Sequence, residues 1–167
     1  VYTNSGYHGR AFFVNHAVVA AKTDILKHLK QQDFNINDTA WVEEQLPVRI
    51  DSVGPTASAS LIERTNEMQR YEVSATGNNL LFVSEVYYPV SWKAYIDGKE
   101  TPIVKTNFAF RGVVIPQGKH TLEFKYGSPK FEQGKTISLA CNVLVIAAAL
   151  GAGFMEWRSR SSKNPAA

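Results

Sequence analysis

Cysteine is almost absent from this sequence: Cys141 stands alone among 167 residues. No internal disulfide can form, so any domain the chain builds outside the reducing cytoplasm must rest on its own apolar core. A strong charge of either sign is missing too. The net charge is +3, and two of those units come from the end of the chain, where Arg158, Arg160 and Lys163 face only Glu156. Residues 1–135 are therefore close to neutral, and no nucleic acid is expected as a partner. There is no P-loop, no Gly-rich dinucleotide turn and no Ser-His-Asp constellation. His8, His16, His28 and His120 lack metal-ligand spacing, so neither a metal nor a cofactor is expected. Val1-Tyr2-Thr3-Asn4 is neither an initiator methionine nor a signal peptide. Either a signal has been cleaved or this is the tail of a larger polytopic protein, and the second is the expectation.

What is present in abundance is one long apolar run. From Thr136 to Met155 there is no charged residue. Some 20 residues at ~1.5 Å rise span the ~30 Å hydrocarbon core of a bilayer. Trp157 suits the headgroup level, and Arg158, Arg160 and Lys163 form a flank expected on the cytoplasmic side. Asn142 is tolerable in a span if it faces another helix. A buried core helix of a soluble protein is the alternative, but such helices carry a polar stripe at this length. The reading divides the chain into an extracytoplasmic domain (1–135), a transmembrane helix (136–157) and a cytoplasmic basic tail (158–167). Lys125, Lys130 and Lys135 approach the membrane end, where anionic lipid headgroups are one partner and plain solvation the other.

Ahead of the span, 44% hydrophobic residues overall supply enough apolar side chain for one packed domain. Val1 to Arg10 reads as loop and Ala11-Phe12-Phe13-Val14 as a strand. Thr23 can cap a helix through Ile25, Leu26 and Leu29 to Gln31, with Asp33 to Asp38 closing it as a turn. The period then changes to two. Strands are expected over Thr39–Leu46, Val48–Val53, Ala57–Arg64, Met68–Ala75 and Leu80–Val86, then over Trp92–Ile96, Phe108–Ile115 and His120–Tyr126, with turn signals at Gly77-Asn78-Asn79, Asp97-Gly98 and Pro116-Gln117-Gly118. Leu80–Val86, nearly all apolar, reads as a central strand. The fold class is mainly β: an antiparallel, jelly-roll-like sandwich with one short accessory helix, followed by the transmembrane helix.

The densest chemistry lies between Ser84 and Gly98. A Trp with neighbouring Tyr, Asp and Lys offers a flat apolar face to pyranose C–H groups and polar groups to hydroxyls. Packing of Trp92, Tyr87 and Tyr95 in the core or on its rim is the other reading of the same residues. The candidate ligand-binding residues are Tyr87, Tyr88, Trp92, Tyr95, Asp97 and Arg111. Glu85 and Arg111, both set in apolar strands, are candidates for a buried charge pair of structural purpose. Asp97 with Glu100 offers the residue types of a glycoside hydrolase's two carboxylates, but Asp97-Gly98 is explained by a turn. Asn37-Asp38-Thr39 fits the N-glycosylation pattern, which a short chain often carries by chance.

Ser84-Glu85 with Tyr87-Tyr88-Pro89, Trp92-Lys93-Ala94-Tyr95, Asp97-Gly98, Pro102-Ile103, Asn107, Arg111-Gly112-Val113, Pro116, Gly118, His120, Phe124, Tyr126, and Phe131 with Gly134 before an apolar helix together resemble the C-terminal end of the bacterial YfhO family. Those large polytopic membrane proteins are similar to C-type glycosyltransferases that use lipid-linked sugars. The resemblance implies upstream spans, then an extracytoplasmic β-domain, then a last span, all in the bacterial cytoplasmic membrane; it also argues against N-glycosylation. It places the transferase's catalytic acid in an early loop upstream, so no catalytic residue is carried onto this chain. It departs from the family at Ser91, where a Gly usually precedes the Trp. The implied role is a non-catalytic accessory domain positioning an acceptor glycan or lipid-linked sugar near the membrane. The implied partners are membrane lipid, the upstream transmembrane region of the same parent chain, and the glycan. A purely structural cap, a single-span carbohydrate-binding module and a free-standing hydrolase are the alternatives.

The apolar run makes a direct prediction. The full chain is expected to stay in the membrane pellet after alkaline carbonate extraction, and a chain ending at residue 135 to be released.

Overall fold

Two periodicities in the sequence become two units in the computed structural model, one over residues 1–127 and one over 128–167. The structure describes residues 9–30, 35–127 and 129–162. The expected loop at Val1–His8, the helix end at Gln31, the turn start at Asp33-Phe34 and the flanking Lys163 lie outside these residues.

The first unit contains β1 (Ala11–Val14), β2 (His16–Val19), α1 (Lys22–Leu29), β3 (Thr39–Val42), β4 (Ser58–Arg64), β5 (Met68–Ala75) and β6 (Asn79–Val86). It continues with β7 (Trp92–Ile96), β8 (Lys99–Thr101), β9 (Val104–Thr106), β10 (Phe110–Ile115) and β11 (Gly118–Tyr126). The strands form a six-stranded sheet in the order β1-β6-β10-β9-β3-β2 and a five-stranded sheet in the order β4-β5-β11-β7-β8. The chain crosses repeatedly from one sheet to the other, as a sandwich requires. The pairing is antiparallel, as expected, except that β2 runs parallel to β3.

Alternation explains the core. Tyr71, Val73 and Ala75 of β5, Leu122 and Phe124 of β11 and Ala94 of β7 meet Leu81 and Val83 of β6 and Val113 and Ile115 of β10 between the sheets. The Tyr71 and Phe124 rings meet edge to face at 6.1 Å. The opposite side of the six-stranded sheet is covered as well: Val14, Ala40, Leu80 and Phe82 form a second cluster against Leu46 and Ile50. Because β6 is buried on both faces, its apolar run has no polar alternation.

That outer cover corrects one expectation. Residues 48–53 do not form a strand, and β3 stops at Val42. The segment instead lies over the sheet, its backbone tied to side chains and turns: the Asp51 N–H donates to the Asn78 carbonyl at 2.8 Å, the Val53 N–H to Asn15 Oδ1 at 3.0 Å and the Gly54 N–H to Thr76 Oγ1 at 2.8 Å. Pro47 and Pro55, at its two ends, cannot donate to a ladder. Three short strands, β2, β8 and β9, lie outside the strands expected from the sequence; with three or four residues each they carry too little alternation to show. α1 starts at Ala21 with no side-chain cap, so Thr23 lies inside the first turn rather than capping it. Ile25 is buried while Leu26 is exposed.

Two tight hairpins use positive φ: at both residues Asp97 and Gly98 between β7 and β8 (50° and 82°), and at Asn107 and Phe108, the first two of three residues between β9 and β10 (46° and 73°). Asn107 is held there by bonding to β3, its N–H donating to the Trp41 carbonyl at 2.7 Å and its Oδ1 accepting from the Trp41 N–H at 2.8 Å.

The second unit is one helix, α2 (Pro129–Ser162). It takes in Gly134 and Lys135, which the sequence reading gave to the preceding domain. Gln133–Arg158 is long and apolar enough to cross a membrane, and none of it is buried. Ile137, Val143, Leu144, Val145, Ile146, Leu150 and Phe154 are all exposed, apolar on every side. Cys141 is an exposed thiol on this helix.

Gly112 sits where β10 passes closest to β9 and β6. A Cβ there would lie 2.6 Å from Thr106 Cγ2 and 3.1 Å from Leu80 Cδ1. Gly112→Ala is expected to destabilise the sandwich by about 1–3 kcal/mol, read as a lower melting temperature of the domain.

Candidate functional site

Follow the inward-facing rows of the sandwich to one end and they turn polar. The row Leu81, Val83 on β6 continues to Glu85; Val73, Tyr71 on β5 continues to Gln69; Ile115, Val113 on β10 continues to Arg111. A bulge between Phe110 and Arg111 shifts the β10–β6 register at this point, and bulges re-aim the side chains beside them. Trp92, opening β7, pairs across with Tyr126 at the close of β11, their rings 5.5 Å apart and steeply inclined. These strand ends surround a solvent-open cavity of about 630 Å³. It is lined by Arg64 at the end of β4, by Thr65 and Asn66 of the turn that follows, by Gln69, Glu85 and Val86, and by Tyr88, Trp92 and Arg111.

Arg111 is the centre of this arrangement. It is only 3% exposed. Its guanidinium carbon lies 4.5 Å from the centre of the Trp92 ring and 5.3 Å from that of Phe124. Nε donates to the Val86 carbonyl at 2.8 Å, and buried Nη1 has no partner. Two nearby buried polar atoms, Gln69 Oε1 and the Tyr71 hydroxyl, are also without partners. Burial lowers the Arg111 pKa, with the fields of Glu85 and Tyr71 acting the other way. Burial, and then Glu85, raises that of Tyr71. Guanidinium contacts with desolvated aromatic faces are worth ~2 kcal/mol, which offsets part of the several kcal/mol that burying the charge costs.

Glu85 does not close an ion pair with Arg111, contrary to the expected buried pair. Its Oε1 accepts from Arg10 Nη1 at 3.3 Å and Arg64 Nη2 at 3.2 Å. Two arginines on the rim therefore take the one carboxylate lining the cavity, and Arg111 is left with aromatic neighbours and a single carbonyl.

Of the six residues singled out in the sequence, the fold brings Tyr88, Trp92 and Arg111 together. Tyr88 is exposed, whereas Trp92 is half-buried, with Arg111 over one face. Tyr87 lines a separate cleft with Pro47, Pro102, Ile103 and Lys105. Tyr95, one residue out of phase with Trp92 and Ala94, lies under Lys125 Nζ at 5.2 Å. Asp97 stays in its turn, accepting from the Thr121 N–H at 2.8 Å and meeting His120 Nδ1 at 2.6 Å. Glu100 pairs with Lys93 at 3.0 Å, so Asp97 and Glu100 are each committed elsewhere. Arg64, Gln69, Thr65, Asn66 and Tyr126 were not singled out, although continuing the inward alternation of β5 by one step reaches Gln69. Ser91, where the family usually has Gly, is buried and keeps an ordinary negative φ. Its carbonyl accepts from the Gly127 N–H at 2.7 Å, so Trp92 is posed without a glycine. Among the described residues, no three His, Cys, Asp or Glu side chains are grouped to hold a metal ion.

The Asp97 carboxyl is held below its ordinary value of 3.8, first by His120 and then by the Thr121 N–H. A carboxyl lowered by folding contributes stability that is present above its unfolded value and fades as the pH falls through its folded one. Asp97→Asn is therefore expected to melt below the wild type at neutral pH, by the modest amount of an exposed pair (about 0.5 kcal/mol). The gap is expected to close as the pH is lowered past 3.8, read from melting curves across the acid range.

Neither the curated proteins nor the solved structures contain a match to this chain. The family model described as "Bacterial membrane protein YfhO" matches residues 3–138. That covers the sandwich and the entry into the apolar helix, and the chain belongs to the YfhO family of bacterial membrane proteins.

Proposed function

We propose that residues 1–127 form a non-catalytic accessory domain of a membrane glycosyltransferase-like protein, and that the cavity around Trp92 and Arg111 holds a glycan or lipid-linked sugar for it. The observation that carries this reading is the polar end of the inter-sheet core. A sandwich that served only as a cap has no use for a buried guanidinium with an unpartnered nitrogen, beside two other unpartnered polar groups, at the mouth of a cavity. Tyr88 and the free edge of Trp92 supply apolar contact, while Thr65, Asn66 and Gln69 supply groups for hydroxyls. The carboxylate at the site is engaged by two arginines, which suits binding better than general acid chemistry.

The proposal includes the setting. β11 ends at Tyr126 and the apolar helix begins at Pro129, so only two residues of sequence separate the strand that carries one side of the site from the helix. The domain faces the outside of the bacterial cytoplasmic membrane, with the basic residues after Trp157 in the cytoplasm. Membrane lipid and the upstream transmembrane region of the parent chain are its neighbours.

Tyr88 gives the cleanest test, because the residue is 52% exposed. Tyr88→Ala is expected to change stability by no more than ~0.5 kcal/mol while weakening glycan binding to the full chain several-fold. Unchanged binding would leave the domain a structural cap. Protease added to intact spheroplasts is expected to cut the domain; protection until the cells are lysed would reverse the topology.

A further inference from the structure

We infer that the cavity recognises an acidic sugar derivative, with Arg111 and Arg64 holding an anionic oxygen pair such as a phosphoester or a carboxylate provides. This deepens the glycan reading and rests on it.

Charge is the first argument. Arg10, Arg64 and Arg111 gather around Glu85, three guanidiniums against one carboxylate. Arg10 and Arg64 share a single oxygen of Glu85, at 3.3 and 3.2 Å, which leaves most of their donors uncommitted. The site therefore carries an excess of positive charge that the protein does not neutralise, in a domain whose overall charge is near zero.

Geometry is the second. A guanidinium presents two forks, one along Nε and a terminal nitrogen and one across the two terminal nitrogens. At Arg111 the Nε edge is fixed by the Val86 carbonyl, and Trp92 and Phe124 pack on the guanidinium group. What remains is the terminal pair of nitrogens, of which Nη1 is buried and has no protein partner. A planar fork held this way matches two oxygens of one anion, and charge-assisted bonds of this kind are roughly twice as strong as neutral ones. The packing also fixes the side chain before the ligand arrives, so little rotamer entropy remains to be lost on binding.

Arrangement is the third. The unpartnered Tyr71 hydroxyl and Gln69 Oε1 lie on the β5 row beside Arg111, and Thr65, Asn66 and Tyr88 line the cavity beyond it. An anion on the guanidinium places the neutral part of the same molecule among hydroxyl and amide groups. That is the layout for a sugar that bears one acidic group, and not for a bare anion.

The test uses the full chain in nanodiscs of phosphatidylcholine alone, titrated calorimetrically with glucose 1-phosphate, glucuronate and glucose. Either acidic probe is expected to bind at least about tenfold more tightly than glucose, and to weaken as sodium chloride is raised. Arg111→Met, which keeps an unbranched side chain beside Trp92 but removes the charge, is expected to remove that preference. Arg64→Gln sits on the half-exposed rim, so it tests the charge without touching the core, and is expected to weaken the acidic probes several-fold. Melting each variant first establishes that it is folded.

Adding phosphatidylglycerol to the nanodiscs separates the sources of the anion. Competition with glucose 1-phosphate assigns the site to a lipid phosphate and overturns the acidic-sugar reading; binding that is indifferent to the lipid supports it. Glucose binding as tightly as the acidic probes, with Arg64→Gln unchanged, overturns the anion inference but leaves the glycan site standing. No binding of any probe at about 10 mM (a free energy too small for recognition) overturns both.

Discussion

The double burial of β6 is the constraint on which the rest of the sandwich depends. Leu81 and Val83 face the space between the sheets while Leu80 and Phe82 face the outer cover, and all four are within 1% of complete burial. At roughly 1.5–3 kcal/mol for each such side chain, this strand commits the chain to two layers of packing. The irregular segment carrying Leu46 and Ile50 must lie where it does, because otherwise Leu80 and Phe82 would meet water. The same strand then runs out to Glu85 and Val86, whose carboxylate and carbonyl organise the arginines. Core and candidate site are thus two stretches of one strand, and the transition between them falls between Val83 and Glu85.

That transition explains how the domain tolerates a buried cation. Arg111 shares its row with Val113 and Ile115, where an apolar residue would extend the core. A guanidinium survives there because its broad faces are weakly hydrated and pack on aromatic rings, while one edge finds a carbonyl. The remaining donors are a standing cost. The nearby carboxylate that could have removed this one is drawn to the rim by Arg10 and Arg64 instead.

Membership of the YfhO family and an apolar helix exposed on every side agree with each other physically. A helix with Leu, Ile, Val and Phe all round has no stripe to bury against a sandwich, and its side chains call for a hydrocarbon surrounding. The domain, by contrast, closes its own core without a disulfide.

Much of this was legible in the residues. Alternation located β5 and β11 and an unbroken apolar run located β6, each to within a residue or two, Asp97-Gly98 located a hairpin, and an uncharged run of some 20 residues located the helix, because each signal is local: side chains two apart share a strand face, and apolar length alone sets a span. Alternation misled at Val48–Val53, where prolines and turn-directed hydrogen bonds outweigh it, and it could not resolve strands as short as β2, β8 and β9. For the site, sequence picked out the right stretch but not the right set. Tyr88, Trp92 and Arg111 converge, while Tyr95 falls out of phase, Asp97 is held by its turn and Tyr87 joins another cleft. Which carboxylate meets which arginine, and which strand ends share one rim, depend on the crossings between the two sheets. Sequence determined where the chain is apolar and with what period; only the tertiary structure decided that Arg64, Gln69, Glu85 and Arg111, drawn from four strands, would meet, because contacts across sheets are set by register and bulge and not by spacing along the chain.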